Sequence, residues 1–167
     1  MFNATGEDQV FRGLTGSVRL SPMRPDEYRS FDGLGLAHLV RTKQITPGEL
    51  LDVALAQAQA TDEIGAIVHP QPERARRVIR NGIPDAPLSG VPFVIKDLGC
   101  EAVDFPTSLG SRLFRDYRYR VDCEIFVRLE RAGLVTFART TSPELGIGPT
   151  AEGAVYGRPT RNPWNLD

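Results

Sequence analysis

The sequence has almost no lysine. Lys43 and Lys96 are the only two, and the rest of its 20 basic residues are arginine. Histidine and cysteine are equally scarce, with His38 and His69, Cys100 and Cys123. Neither histidine stands near a cysteine in the chain, so no metal-ligand spacing exists and no metal is expected. Nothing matches a P-loop or a dinucleotide fingerprint, so no cofactor is expected either. Two cysteines behind an N-terminus without an apolar leader suggest free thiols in a reducing, cytoplasmic compartment. No apolar run approaches the ~20 residues of a membrane-spanning helix. A net charge of −1 provides no strong field toward nucleic acid or a membrane surface, and neither is expected as a partner. Arg74, Arg77 and Arg80 could share a helix face and read as solvated.

What is present is enough for one domain with a real core: 167 residues, 41% hydrophobic and 25% charged, an ordinary soluble composition. Residues 1–26 are polar and aperiodic, and are expected to be a poorly ordered extension in which Met23 competes with Met1 as the start. Residues 27–167 read as one unit. Apolar spacing from Leu34 predicts a short helix ending near Lys43. Thr46, Pro47 and Glu49 compose a capping box with proline at the first helical position, so a helix is predicted over Pro47–Ala60. A strand over Ile64–His69 and a helix over Pro72–Arg80, stopped at Asn81-Gly82, follow. Val91–Lys96 reads as a second strand. Asp122 is predicted to cap a helix through Arg131 with Ile125, Phe126 and Leu129 inward, and Leu134–Ala138 to be a third strand. Strand, helix, strand is the parallel α/β pattern. From Thr141 onward glycine and proline recur and no element is expected; so long a structureless stretch suits the approach to an active site.

Lys96 ends an apolar strand, and in parallel α/β sheets the functional crevice lies at the carboxyl ends of the strands. Spacing alone leaves two readings. Lys96 either snorkels to water from a strand end, or is a buried amine that gives up its proton and acts as a general base, which arginine cannot do. Asp97 should face the other way and reads as structural. His69 has no paired serine, and Cys100 is a loop thiol without a nearby histidine; neither is assigned catalysis.

Several ordered motifs break this tie. Leu88–Asp97 resembles the lysine motif of the amidase signature family. Pro106–Ser111 resembles the loop after it, Arg139–Gly146 the K-T-N-x-P-E-F segment, and Val155–Asp167 the stretch before the Gly/Ser-rich signature. The resemblance spans residues 27–167. It implies an α/β sandwich around a large mixed, partly parallel sheet, of which this chain holds an incomplete, N-terminal portion. It also implies hydrolysis of small-molecule amides through a Ser–cisSer–Lys triad, with Lys96 as the base and the oxyanion held by backbone N–H groups. Both serines belong to the Gly/Ser-rich segment; Ser89, Ser108, Ser111 and Ser142 do not match them. Leu145 and Gly146 are implied to line the acyl pocket. Arg139 stands where the family usually has lysine, Thr141 where it has asparagine, and Gly153 where asparagine is common. The texture around Lys96 is nearer to hydrolases of linear or cyclic amides, including aminohexanoate oligomers, than to the tRNA-dependent amidotransferase members of the family, which stay an alternative. Residues 1–167 alone are expected to be inactive. The competing expectation is a truncated relic, or a module that self-associates or docks a separate C-terminal half.

Overall fold

The computed structural model describes residues 22–166. Most of the extension expected at 1–26 lies outside them. Its last residues are packed: Met23 is buried, and Pro25–Tyr28 forms a single helical turn, α1. Helix α2 (Gly33–Arg41) starts on Asp32, whose carboxylate accepts from the Gly35 N–H. Helix α3 (Pro47–Ala60) carries the complete capping box, Thr46 accepting from Glu49 N–H while Glu49 accepts from Thr46 N–H. Leu50 and Leu51 on its inner face are fully buried, each worth about 1.5–3 kcal/mol of removal from water.

The strand expected at Ile64–His69 shrinks to Ile67–Val68, β1. A 3-10 turn occupies Asp62–Ile64, Gly65 is left-handed at φ 68°, and His69 turns away at φ 47°. Helix α4 is Pro72–Asn81. Arg74 departs from the solvated face expected for it. It is buried, bridges Asp104 and Glu130, and lies over the rings of Phe105 and Phe126. Arginine spacing could not reveal those partners, because they come from the loop and helix that follow the next strand.

Strand β2 is Pro92–Lys96, helix α5 is Glu124–Arg131, and strand β3 is Val135–Thr140. The sheet order is β1-β3-β2, with β3 central, antiparallel to β1 and parallel to β2. The fold is thus a mixed α/β arrangement. The turn from α5 into β3 pivots on Gly133 at φ 91°, where a Cβ would stand 2.5 Å from Ser89 Cα; only glycine fits. Two expectations for α5 fail. Cys123, not Asp122, is its N-cap, because the Asp122 carboxylate accepts from Val103 N–H instead. Ile125 faces water at 60% exposure, leaving Phe126 as the buried residue of the helix.

Alternation along β2 sends Val94 toward the cluster that α3 and α4 make with β3, and Ile95 toward Cys100, Ala102, Phe105 and Phe126 on the other face. Among the described residues, no helix is long and apolar enough to cross a membrane.

Candidate active site

The carboxyl ends of β2 and β3 meet in register, Lys96 beside Thr140, and the ladder continues one residue further through Asp97 N–H to Thr140 O at 2.9 Å. The two neighbours Lys96 and Asp97 then part company. Asp97 is fully buried. One carboxylate oxygen accepts from Thr107 Oγ1 at 2.6 Å and the other from Ser108 Oγ at 2.7 Å and Tyr156 OH at 2.8 Å. The Ser108 N–H reaches both oxygens at 3.1 Å. His69 Nε2 stands 3.8 Å away, beyond hydrogen-bond distance. Burial works to raise the pKa of this carboxyl, but the contacts from His69, Thr107, Ser108 and Tyr156 outweigh it and hold Asp97 well below the usual carboxylate range.

Arg139 lies under the same loop and is also fully buried. Its Nε donates to Pro106 O at 2.8 Å, and its Nη1 donates to Lys96 O at 2.8 Å and Cys100 O at 3.0 Å. One guanidinium therefore ties the strand end at Lys96 to two later points of the loop, a fork that a lysine ammonium cannot reproduce. Asp97 Oδ1 is 3.9 Å from its Nε. Burial lowers the Arg139 pKa and Asp97 opposes the change. The arginine found where the resemblance leads one to expect lysine is thus a loop-packing residue.

Lys96 itself is exposed, not buried. Strand β2 is an edge of the sheet described here, and Ile95, not Lys96, points into the core. Among the described residues no hydrogen bond or ion pair engages the Lys96 amine. Its backbone, in contrast, is fixed by Arg139 and by β3.

The stretch after Thr140 is irregular, as its composition predicts, yet it is tied down. Thr141 Oγ1 and Thr160 Oγ1 share a 2.6 Å hydrogen bond, Thr160 Oγ1 also donates to Gly65 O, and Ser142 N–H donates to Tyr156 OH. Thr141, found where asparagine is usual, is one of these ties. At Gly153 a Cβ would stand 2.4 Å from Gly110 O, so the close approach of the two loops leaves no room for an asparagine there.

Leu145 and Gly146 form a 3-10 turn with both residues at positive φ, and Leu145 N–H donates to Leu109 O at 2.8 Å. Leu98 packs onto Gly146, so this turn rests on the loop that leaves Lys96. Leu145 lines an open cleft of about 550 Å³ with Glu144, Ile147, Thr150 and Glu152; Lys96 does not line it. Sequence reasoning missed Tyr156 as an Asp97 partner and His69 as its neighbour, and no pattern in the chain signals either. Three of the serines set aside are in structural use: Ser108 donates to Asp97, Ser111 Oγ accepts from Leu113 N–H, and Ser142 Oγ donates to Pro143 O.

Residues 49–167 match the Amidase family. Over 145 residues the chain is 32% identical to a glutamyl-tRNA(Gln) amidotransferase subunit of Mycobacterium leprae (strain TN), covering 81% of this chain and 29% of that protein. Over 138 residues it is 35% identical to 6-aminohexanoate-cyclic-dimer hydrolase of Paenarthrobacter ureafaciens, covering 81% and 27%. The structure of 6-aminohexanoate cyclic dimer hydrolase complexed with substrate matches with a TM-score of 0.76 at 34% identity, over 81% of this chain and 28% of that one. A bacterial aryl acylamidase of the amidase signature enzymes matches at 0.73 and 29% identity, over 82% and 30%. The chain spans less than a third of the length of these relatives. It belongs to the amidase signature family.

Proposed function

We propose that this chain supplies the lysine base of an amidase that cleaves carbon–nitrogen bonds of small amides through a Ser–cisSer–Lys relay. The observation that carries the reading is the contrast at the end of β2. Asp97 is saturated with hydrogen bonds, while Lys96, whose backbone is pinned by Arg139 and β3, has no partner for its amine among the described residues. An amine held on a rigid strand end and not consumed by an ion pair is available to accept a proton from a serine hydroxyl. The bridging serine, the nucleophile and the oxyanion donors have no counterpart among residues 1–167. In this reading the part of the domain that carries them also covers Lys96 and strips it of water, which favours the neutral amine. Leu145 and Gly146, resting on Leu98, would form one wall of the acyl pocket.

Amide hydrolysis is the first reading and amidotransferase chemistry the alternative, since both kinds of relative match over 81% of the chain. The test is a chimera in which residues 27–167 replace the equivalent segment of 6-aminohexanoate-cyclic-dimer hydrolase. Hydrolysis of an amide by the chimera, with a loss of about 10³-fold or more on Lys96→Met, is the expected result. Hydrolysis that is indifferent to Lys96→Met would contradict the assignment.

A further inference from the structure

The amide chemistry leaves two nucleophilic groups unused, the thiols of Cys100 and Cys123. Cys100 lies on the loop that leaves β2, buried against the cluster of Ile95, Ala102, Phe105 and Phe126. Cys123, at the N-cap of α5, is half-buried against the same cluster, and its side chain makes no capping bond. The Cys123 N–H donates to Glu101 O at 3.0 Å, which draws the start of α5 alongside the residue that follows Cys100. Both cysteines are free. Burial first, and then the neighbouring Cys123, push the Cys100 thiol up to about 11. The two side chains therefore neighbour each other in space while residues 101–122 loop out between them.

We propose that Cys100 and Cys123 are a reversible modification site that closes into an intramolecular disulfide on exposure to a small-molecule disulfide of the glutathione class. The half-buried Cys123 is the sulfur that such an oxidant reaches. Its thiolate attacks one sulfur of glutathione disulfide; the S–S bond of the oxidant breaks, and one glutathione thiolate leaves and takes up a proton. The Cys100 thiolate then attacks Cys123 Sγ, forming the Cys100–Cys123 bond and expelling the second glutathione. Two protein thiols lose two protons and two electrons, and the oxidant takes them up to become two molecules of glutathione. Because Cys100 holds its proton tightly, its attack is the slower step. The bond would tie α5 to the loop whose Cys100 and Pro106 carbonyls Arg139 grips and whose Thr107 and Ser108 hold Asp97. Oxidation would therefore lock the support beneath Lys96 without touching its amine.

The experiment incubates the folded full chain with glutathione disulfide, alkylates remaining thiols, digests with trypsin and identifies the peptides by mass spectrometry. A peptide pair joined through Cys100 and Cys123 is expected, forming on the order of tenfold faster in the folded chain than in urea, because folding raises the effective concentration of one thiol at the other. The Cys100→Ser variant is expected to stop with a single glutathionyl group on Cys123. A wild-type chain that leaves both thiols free would overturn the proposal. So would one that retains glutathione on Cys123 without joining, that joins separate molecules, or that forms the pair no faster folded than unfolded. The central measurement uses the wild-type chain, so it does not depend on a variant folding. It requires no amide turnover, so failure here leaves the assignment of Lys96 standing, and failure of that assignment leaves this one standing.

Discussion

The two sides of the strand ends of β2 and β3 treat charge in opposite ways. Beneath the loop, Asp97 and Arg139 are wholly buried, and their side chains hold five other residues of that loop and the chain beyond it. On the other side, Lys96 is exposed, and its amine has no partner among the described residues. A buried charge is costly unless it is paired and hydrogen-bonded. Asp97 meets that condition in full, and Arg139 meets it through Nε and Nη1, its Nη2 being left without a partner among the described residues. The buried side is therefore architecture, and the ionisable group left unspent at the surface is the one available for chemistry. The apolar surface shows the same division: Phe105 and Phe126 are sealed beneath the loop, while Ile147 and Trp164 in the irregular stretch are 84% and 93% exposed.

The strongest blow to this contrast would fall on Arg139. Removing its guanidinium orphans three carbonyls and takes from Asp97 a guanidinium 3.9 Å away, so Arg139→Met should cost about 3–5 kcal/mol of stability by urea unfolding. Arg139→Lys should recover part of that loss. A cost below about 1 kcal/mol would mean that the loop is held by something else.

Asp97→Asn comes next, with an expected loss of about 2–4 kcal/mol, because the donors of Thr107, Ser108 and Tyr156 lose a charged acceptor. The same residue predicts a pH response. Its folded pKa is depressed, so its contribution is fully present above the unfolded value of about 3.9 and is lost as the pH falls below it. Thermal unfolding followed from pH 6 downward should show a drop beginning near pH 4 in the wild type and a shallower one in the asparagine variant. Parallel profiles would mean that the Asp97 charge does not hold the loop. Lys96→Met should have the smallest effect, within about 0.5 kcal/mol of wild type by the same urea titration, since the exposed amine has no partner among the described residues to lose.

Much of this architecture was readable from local chemistry. Helix α3 runs over the residues that the Thr46–Glu49 capping box predicts, and Lys96 stands at the end of its strand because an apolar run stops there. The glycines and prolines beyond Thr141 announced an irregular path. The misreadings have a common cause, competition from residues distant in sequence. Strand β3 runs two residues past Ala138 because Arg139 and Thr140 pair across to β2, although their polarity suggested a strand end. Asp122 looked like a helix cap but spends its carboxylate on Val103. Arg74 looked like a residue of a solvated face and is buried by partners from other segments. Spacing left Lys96 either snorkelling or buried, and among the described residues it is exposed, at the end of a strand with a partner on one side only. The Asp97 cluster was half legible: the aspartate read as structural, but Tyr156, far along the chain, could not be anticipated.

The most direct test of the central claim measures turnover and unfolding on the same preparations of the 6-aminohexanoate-cyclic-dimer hydrolase chimera, carrying either Lys96 or Lys96→Met. If Lys96 is the base, kcat/KM falls about 10³-fold or more while the unfolding midpoint stays where it was. Turnover within tenfold of the Lys96 chimera, or a loss matched by a collapse in stability, would contradict that claim.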